Sequence, residues 1–119
     1  MGASRIYISG GITGVRDYKA RFYDAQNHLE SRYDCIVVNP VMLGKKVESL
    51  VESPQWHHYM RECVKWLAMC DKVFMLRGWW RSMGARVEWM LAKILRIDVM
   101  YQHGGEPYVR EAEADEASA

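Results

Sequence analysis

The stretch that decides the fold is Arg5-Ile-Tyr-Ile-Ser-Gly-Gly-Ile-Thr-Gly14. Its β-branched and aromatic residues predict a strand over 6–9, which ends in a loop with three glycines and is followed by a helical pattern. In a strand, glycine loop and helix of this kind, backbone N–H groups and a helix N-terminus face the position of an anion. The stretch therefore predicts a site for a phosphate or a similar group, although it is neither a Walker loop nor a full dinucleotide fingerprint.

Length and charge limit what the rest of the chain can be. With 119 residues, half of them hydrophobic, the chain is long enough for one domain, which we place at residues 1–105. The segment 106–119 has five acidic residues and one arginine, and we expect it to be a flexible tail. The net charge of +1 gives no reason to expect a nucleic acid or a membrane as partner.

The cysteines and histidines predict neither a disulfide framework nor a metal site. Cys35, Cys63 and Cys70 are odd in number and lack metal-ligand spacing, and the chain starts with no signal-peptide pattern. We expect reduced thiols, a cytoplasmic protein, and no bound metal or cofactor.

Strand and helix patterns alternate along the chain. Further strands are predicted at 35–38, 72–76 and 97–101, and helices at 17–31, from Ser53-Pro54 onward, and at 83–96. The segment 41–54 has no strong period and is predicted to be a loop with some helical turn, and 78–82 is predicted to be a loop. The pattern predicts an α/β fold: a three-layer, doubly wound parallel sheet of four to five strands, similar to flavodoxin. Ligands of such sheets bind beyond the carboxyl ends of the strands. Asp71 and Asp98 precede strands, so we expect both to be structural.

Glu88 is the strongest candidate for chemistry, because small residues surround it at helical spacing and leave room for a ligand. Burial there would raise the pKa of its carboxyl, but a surface glutamate fits the pattern as well. Ser82 can cap the helix, bind an anion, or do both. Trp79 and Trp80 can stack on a flat ring or cover the core.

Several segments together resemble the nucleoside 2-deoxyribosyltransferase superfamily, which includes the 2′-deoxynucleoside 5′-phosphate N-hydrolases and short domains common in phages and bacteria. The similarity extends from about residue 5 to about residue 101, and its most specific part is the spacing from Ser82 to Glu88 after Gly78. The matching segments are Ile6–Gly14, Val38–Pro40, Trp56–Arg61, Cys70-Asp71, Leu76–Trp79 and Ser82–Ala85 with Glu88.

The resemblance implies a hydrolase that cleaves the base–sugar bond of a (deoxy)nucleoside 5′-monophosphate. Glu88 would attack C1′ of the sugar, and Tyr7 would orient the carboxylate. Ser82 stands where phosphate-preferring members have a serine and base-exchanging transferases have an acid. The substrate-binding residues implied are Ser9, Gly10, Gly11, Ile12, Thr13, Gly14, Arg16, Asn39, Gly78, Trp79, Ser82 and Gly84.

The sequence departs from the family at two positions. Cys63 stands where catalytic members have the aspartate that handles the proton of the departing base, and Glu62 is the neighbouring candidate for that role. Gly11 replaces a proline that many relatives have. Loss of a general acid typically lowers the rate by 10²–10⁴-fold, so a nucleotide-binding or sequestering module is an alternative, as are a base-exchanging transferase and an FMN carrier. By analogy with the family we expect a homodimer or a higher homo-oligomer.

Overall fold

Four parallel strands form one sheet in the computed structural model, which describes residues 3–107. The strands are β1 (Ser4–Ser9), β2 (Cys35–Val38), β3 (Lys72–Met75) and β4 (Asp98–Tyr101). Their order across the sheet is β2-β1-β3-β4, and all three pairings are parallel. The prediction of an α/β fold with a parallel sheet is confirmed, with four strands in the described part of the chain.

The helices connect the strands and cover the sheet. They are α1 (Tyr18–Arg32), α2 (Pro40–Leu50), α3 (Trp56–Leu67) and α4 (Met83–Ile94), and a single 3₁₀ turn, Trp79–Arg81, precedes α4. The predicted loop over 78–82 therefore contains this turn. Predicted and observed ends of strands and helices otherwise differ by only a few residues, as is usual at frayed termini.

Side chains that alternate in direction along the strands produce two hydrophobic cores. Ile6 and Ile8 of β1 pack with the buried face of α1, whereas Tyr7 packs with residues of α3 and α4. Because successive strand residues point to opposite faces, the two cores lie on opposite sides of the sheet. This arrangement is consistent with a three-layer fold of the flavodoxin type.

The prediction that 41–54 is mainly a loop, with some helical turn, is wrong, because α2 occupies most of this segment. Asn39 ends β2 and caps the helix, its side chain accepting a hydrogen bond from the Val41 N–H at 3.0 Å. Pro40 follows as the first helical residue, where its missing N–H costs nothing. Val41, Leu43 and Val47 are buried, so contacts with the sheet select a helix that the sequence pattern shows only weakly.

Asp71 has the structural role that its position predicted. Its Oδ2 accepts a hydrogen bond from the Arg5 N–H at 2.8 Å and joins the starts of β3 and β1. The predicted tail lies outside the described residues from 108 onward. No helix between residues 3 and 107 is long and apolar enough to cross a membrane.

Candidate functional site

Glu88 is a buried carboxyl group held by two hydroxyl groups of β1. It lies in the second turn of α4, and only 5% of its surface is exposed. The Tyr7 hydroxyl donates to Oε2 at 2.5 Å, and the Ser9 hydroxyl donates to Oε1 at 2.7 Å. Tyr7 and Ser9 are two residues apart on one strand and therefore present their side chains to the same face. The orientation of Glu88 is thus fixed from both oxygens.

Burial controls the protonation of this group. It raises the pKa of Glu88 to about 7, although the hydrogen bonds from Tyr7 and Ser9 act in the opposite direction. Burial and the nearby Glu88 raise the pKa of the Tyr7 hydroxyl well above its usual value, so this hydroxyl remains a proton donor. Glu88 therefore changes charge near neutral pH, as expected of a group that takes part in acid–base or nucleophilic chemistry.

Glu88 faces a cleft of about 370 Å³, which we call the glutamate cleft. This volume is in the range of pockets that bind small molecules. Its walls are the glycine loop after β1, the first turns of α4, and the facing sides of α2 and α3. The lining residues that matter below are Gly10, Ile12, Thr13, Glu48, Tyr59, Cys63, Ser82, Gly84 and Glu88.

The glycine loop packs closely against the start of α4. A side chain at Gly10 would come within 2.9 Å of Leu76, and one at Gly11 within 3.7 Å of the Ser82 Cβ. Ser82 caps α4, its hydroxyl accepting from the Ala85 N–H at 3.2 Å. The capping role of Ser82 leaves its hydroxyl proton available to a ligand in the cleft.

A second cleft of about 430 Å³ lies on the other side of this loop, and we call it the arginine cleft. Thr13 and Ser82 line both clefts, so the two are adjacent. Gly11, Gly14, Arg16 and Gly78, all predicted to bind substrate, line the arginine cleft, together with three further arginines, Arg21, Arg77 and Arg81.

Besides Tyr7, which holds Glu88, four predicted site residues line neither cleft. Trp79 is buried, stacks on Trp89 with ring centres 5.4 Å apart, and donates from Nε1 to the Gly105 carbonyl at 2.7 Å. Asn39 is buried as the cap of α2, and Ser9 is fully buried beneath Glu88. These three have structural or positioning contacts and line neither cleft.

Glu62, the fourth, is held away from Glu88 by basic residues. Its Oε2 lies 3.3 Å from Lys46 Nζ and 3.6 Å from Lys65 Nζ, and it accepts from the Trp66 indole at 3.2 Å. These partners outweigh burial and lower the pKa of Glu62. Glu62 does not line the glutamate cleft, so the hypothesis that it supplies the proton has no geometric support.

The chain matches the family described as "Domain of unknown function (DUF4406)" over residues 4–101. The chain belongs to this family. No curated protein is significantly similar to it in sequence. The matched range contains Tyr7, Ser9, Ser82 and Glu88, together with the glycine loop, so the candidate site lies within the matched residues of the DUF4406 domain.

The DUF4406 domain also brings to the glutamate cleft residues that the sequence reasoning missed. Glu48 of α2 and Tyr59 of α3 both line it, and the Tyr59 hydroxyl donates to Glu48 Oε2 at 3.2 Å. Glu48 was missed because its segment was predicted to be a loop. Once α2 is recognised as a helix, the spacing of Val41, Leu43 and Val47 indicates which face is buried. The remaining faces, which include Glu48, are then the ones that can line a cleft.

Cys63 reaches the glutamate cleft from the apolar face of α3. Burial, with a contribution from the nearby Glu88, raises the pKa of its thiol to about 12, so the thiol is uncharged at neutral pH. All three cysteines of this DUF4406 domain are free. Within residues 3–107, no three side chains of His, Cys, Asp or Glu are grouped as metal ligands.

Proposed function

We propose that the protein is an N-glycosidase of the nucleoside 2-deoxyribosyltransferase superfamily, which hydrolyses the base–sugar bond of a (deoxy)nucleoside 5′-monophosphate. The observation that carries the proposal is Glu88, a buried carboxyl group with a pKa of about 7 at a cleft of ligand size. A buried acid lowers the stability of a fold, and such costs are typical of functional sites. The resemblance in sequence supplies the reaction.

The proposed reaction has two steps at C1′ of the sugar. The Glu88 carboxylate attacks C1′ and forms a C–O bond, while the C1′–N bond breaks and its electron pair passes to the base. Water then attacks C1′, the ester C–O bond breaks, and one proton of the water passes to the group that protonated the base. The carboxylate is thereby regenerated, with a sugar 5-phosphate as product. Tyr7 and Ser9 hold the attacking group in one orientation, which lowers the entropic part of the barrier.

The phosphate would lie at the glycine loop, between the two clefts. Backbone N–H groups of the loop, the Ser82 hydroxyl and the N-terminus of α4 favour an anion there. Arg16 lines the arginine cleft beside this loop and would add a charge-assisted hydrogen bond. A serine at position 82 suits a phosphate better than an acid would, which favours the hydrolase over the base-exchanging transferase.

The departing base needs a proton, and Glu48 is the residue that we assign to take this proton from solvent and deliver it. Cys63, with a pKa of about 12, holds its proton too tightly to be an effective acid at neutral pH. Glu48 is the other carboxyl group among the described residues that line the glutamate cleft, and the hydrogen bond from Tyr59 positions it.

A nucleotide-binding or sequestering module is the second candidate, and Cys63 favours it. If Glu48 cannot reach the base, the site has a nucleophile and no proton donor. The same clefts would then bind the nucleotide without cleaving it.

Fold and assembly complete the proposal. We infer that the sheet is doubly wound, since cores lie on both of its sides and the strand order places a switch point between β1 and β3. We also infer a homodimer in the cytoplasm. Val87, Met90 and Ile94 form an exposed apolar stripe along α4, which suits a subunit interface.

The deciding experiment incubates the protein with the 5′-monophosphates of ribonucleosides and deoxyribonucleosides and measures free base by chromatography. We expect release from at least one substrate, and loss of nearly all of it in Glu88→Gln. In the same series Glu48→Gln should slow release about 100-fold, whereas Glu52→Gln, an exposed acid that lines neither cleft, should not.

Two results would decide against the hydrolase. Base release that persists unchanged in Glu88→Gln would remove the catalytic assignment. Binding of a monophosphate by the wild-type protein, without release of base from any substrate, would favour the binding module instead.

A further inference from the structure

The arginine cleft carries more positive charge than one phosphate group requires. Arg16, Arg21, Arg77 and Arg81 line it, and Asp17 is the acidic residue among its lining. Asp17 already accepts a hydrogen bond from Arg21 Nε at 3.1 Å, so the carboxylate offsets one of the four guanidinium groups.

The four arginines differ in how far they are engaged. Arg77 Nε donates to the His103 carbonyl at 3.0 Å, which fixes the side chain after β3, and Arg77 makes no ion pair within residues 3–107. Arg16 and Arg81 are exposed and make no ion pair within residues 3–107. Arg16 follows β1 in sequence and Arg81 follows β3, so they approach the cleft from different loops.

The volume of the arginine cleft, like its charge, exceeds what one phosphate group requires. At about 430 Å³ it is as large as the glutamate cleft, whereas a phosphate group has only five heavy atoms. Because Thr13 and Ser82 line both clefts, a ligand can extend from one into the other without leaving the surface.

We propose that the arginine cleft binds the β- and γ-phosphates of a nucleoside 5′-di- or triphosphate whose α-phosphate lies at the glycine loop and whose sugar faces Glu88. This inference rests on the proposed function, because that function places the sugar in the glutamate cleft. It extends the substrate class from a monophosphate to nucleotides with a longer phosphate chain. Guanidinium groups suit such a chain, since each can bind two phosphate oxygens at once.

The test measures binding by calorimetry with the Glu88→Gln variant, so that no ligand is consumed, in buffer without divalent cations. The ligands are the mono-, di- and triphosphates of one nucleoside and inorganic tripolyphosphate. We expect binding to tighten about tenfold with each added phosphate, and the difference to shrink as salt is added. Tripolyphosphate should bind and compete with the triphosphate.

Two variants assign the effect to the cleft. Arg81→Gln combined with Arg16→Gln should lower the affinity for the triphosphate more than that for the monophosphate, which loses only its contact with Arg16, so that the preference for the longer chain disappears. Arg86→Gln removes an exposed arginine of α4 that lines neither cleft, and should leave the affinities unchanged. Equal affinity of the Glu88→Gln protein, with all four arginines in place, for mono- and triphosphate would overturn the inference, as would a triphosphate preference that survives the additional double substitution.

The outcomes separate this inference from the function on which it builds. If monophosphates are cleaved but longer phosphate chains bind no better, the hydrolase stands and the extended site is wrong. If the triphosphate and tripolyphosphate bind through Arg16 and Arg81 but no nucleotide loses its base, the extended site stands and the hydrolase is wrong.

Discussion

The burial of Glu88 makes the free energy of unfolding depend on pH. Its carboxyl has an ordinary pKa of 4.5 when the chain is unfolded and about 7 when it is buried in the folded protein. Between these values the folded state holds a proton that the unfolded state has lost, so the free energy of unfolding falls as the pH rises. At pH values above 7 the loss amounts to about 3 kcal/mol, since each pKa unit corresponds to 1.36 kcal/mol.

We therefore expect Glu88→Gln to remove this pH dependence. The uncharged amide keeps the shape of the side chain, and both hydroxyl groups can still bond to it. Urea unfolding of both proteins at pH 5 and pH 8 measures this effect. The difference in free energy of unfolding between the variant and the wild type should be about 3 kcal/mol larger, in favour of the variant, at pH 8 than at pH 5.

Glu52→Gln is the matched control, because this acid is exposed. Its difference from the wild type should be the same at both pH values. If the free energy of unfolding of Glu88→Gln changes with pH in parallel with that of the wild type between pH 5 and pH 8, burial does not shift the pKa of this carboxyl.

Among the secondary-structure elements, α2 shows how tertiary contacts override local sequence preference. It contains Gly44 in its interior, a residue that lowers helix stability by about 1 kcal/mol relative to alanine. A Cβ at Gly44 would lie 3.8 Å from the Tyr59 ring, an ordinary contact distance. The helix therefore forms through its buried face and its Asn39 cap despite this glycine.

Two glycine substitutions should have opposite effects on stability. Gly44→Ala should raise the free energy of unfolding by up to about 1 kcal/mol, because it favours the helix without a clash. Gly10→Ala should lower it by about 1–3 kcal/mol, because the added methyl group would lie 2.9 Å from the Leu76 Cβ. Thermal or urea unfolding measures both, and a stabilised Gly10→Ala would show that the loop has room that the structure does not give it.

The contrast between local sequence preference and tertiary contacts also explains how much of the fold and of the site the sequence predicts. The four strands are short apolar runs, and three of the helices have apolar residues at helical spacing, so both are predictable. The topology of parallel strands then places the glycine loop, Ser82 and Glu88 at one edge. Asn39-Pro40 is typical of a turn as well as of a helix start, so α2 and its Glu48 were missed. Trp79 could not be assigned, because a tryptophan after a strand fits a pocket and a core equally well until its hydrogen bond to Gly105 is known.

On the scale of the whole molecule, the exposed stripe on α4 is an apolar surface that no other part of residues 3–107 covers. Met90 is 58% exposed and Ile94 is 67% exposed, and both lie on the same face of the helix as Val87. If the stripe forms a dimer interface, the wild-type protein should sediment as a dimer at micromolar concentration.

Replacing both Met90 and Ile94 by lysine should weaken this dimer about 100-fold or more, because two charges would enter an apolar interface. Leu50→Lys is the control, since this exposed leucine lies at the end of α2 and not on the stripe. Sedimentation equilibrium distinguishes the two variants. A wild-type protein that remains monomeric at high concentration would contradict the proposed assembly.

The placement of Tyr7 and Ser9 on a central strand has a consequence for folding fidelity. If β1 paired with its neighbours one residue out of step, Ile6 and Ile8 would face Glu88 and the two hydroxyl groups would point into the opposite core. The acid would then be enclosed by hydrocarbon with no donor to solvate it. The same carboxyl group that makes the correctly folded site reactive therefore destabilises a chain in which β1 is shifted. Selection for chemistry at Glu88 thus also selects for a single register of β1.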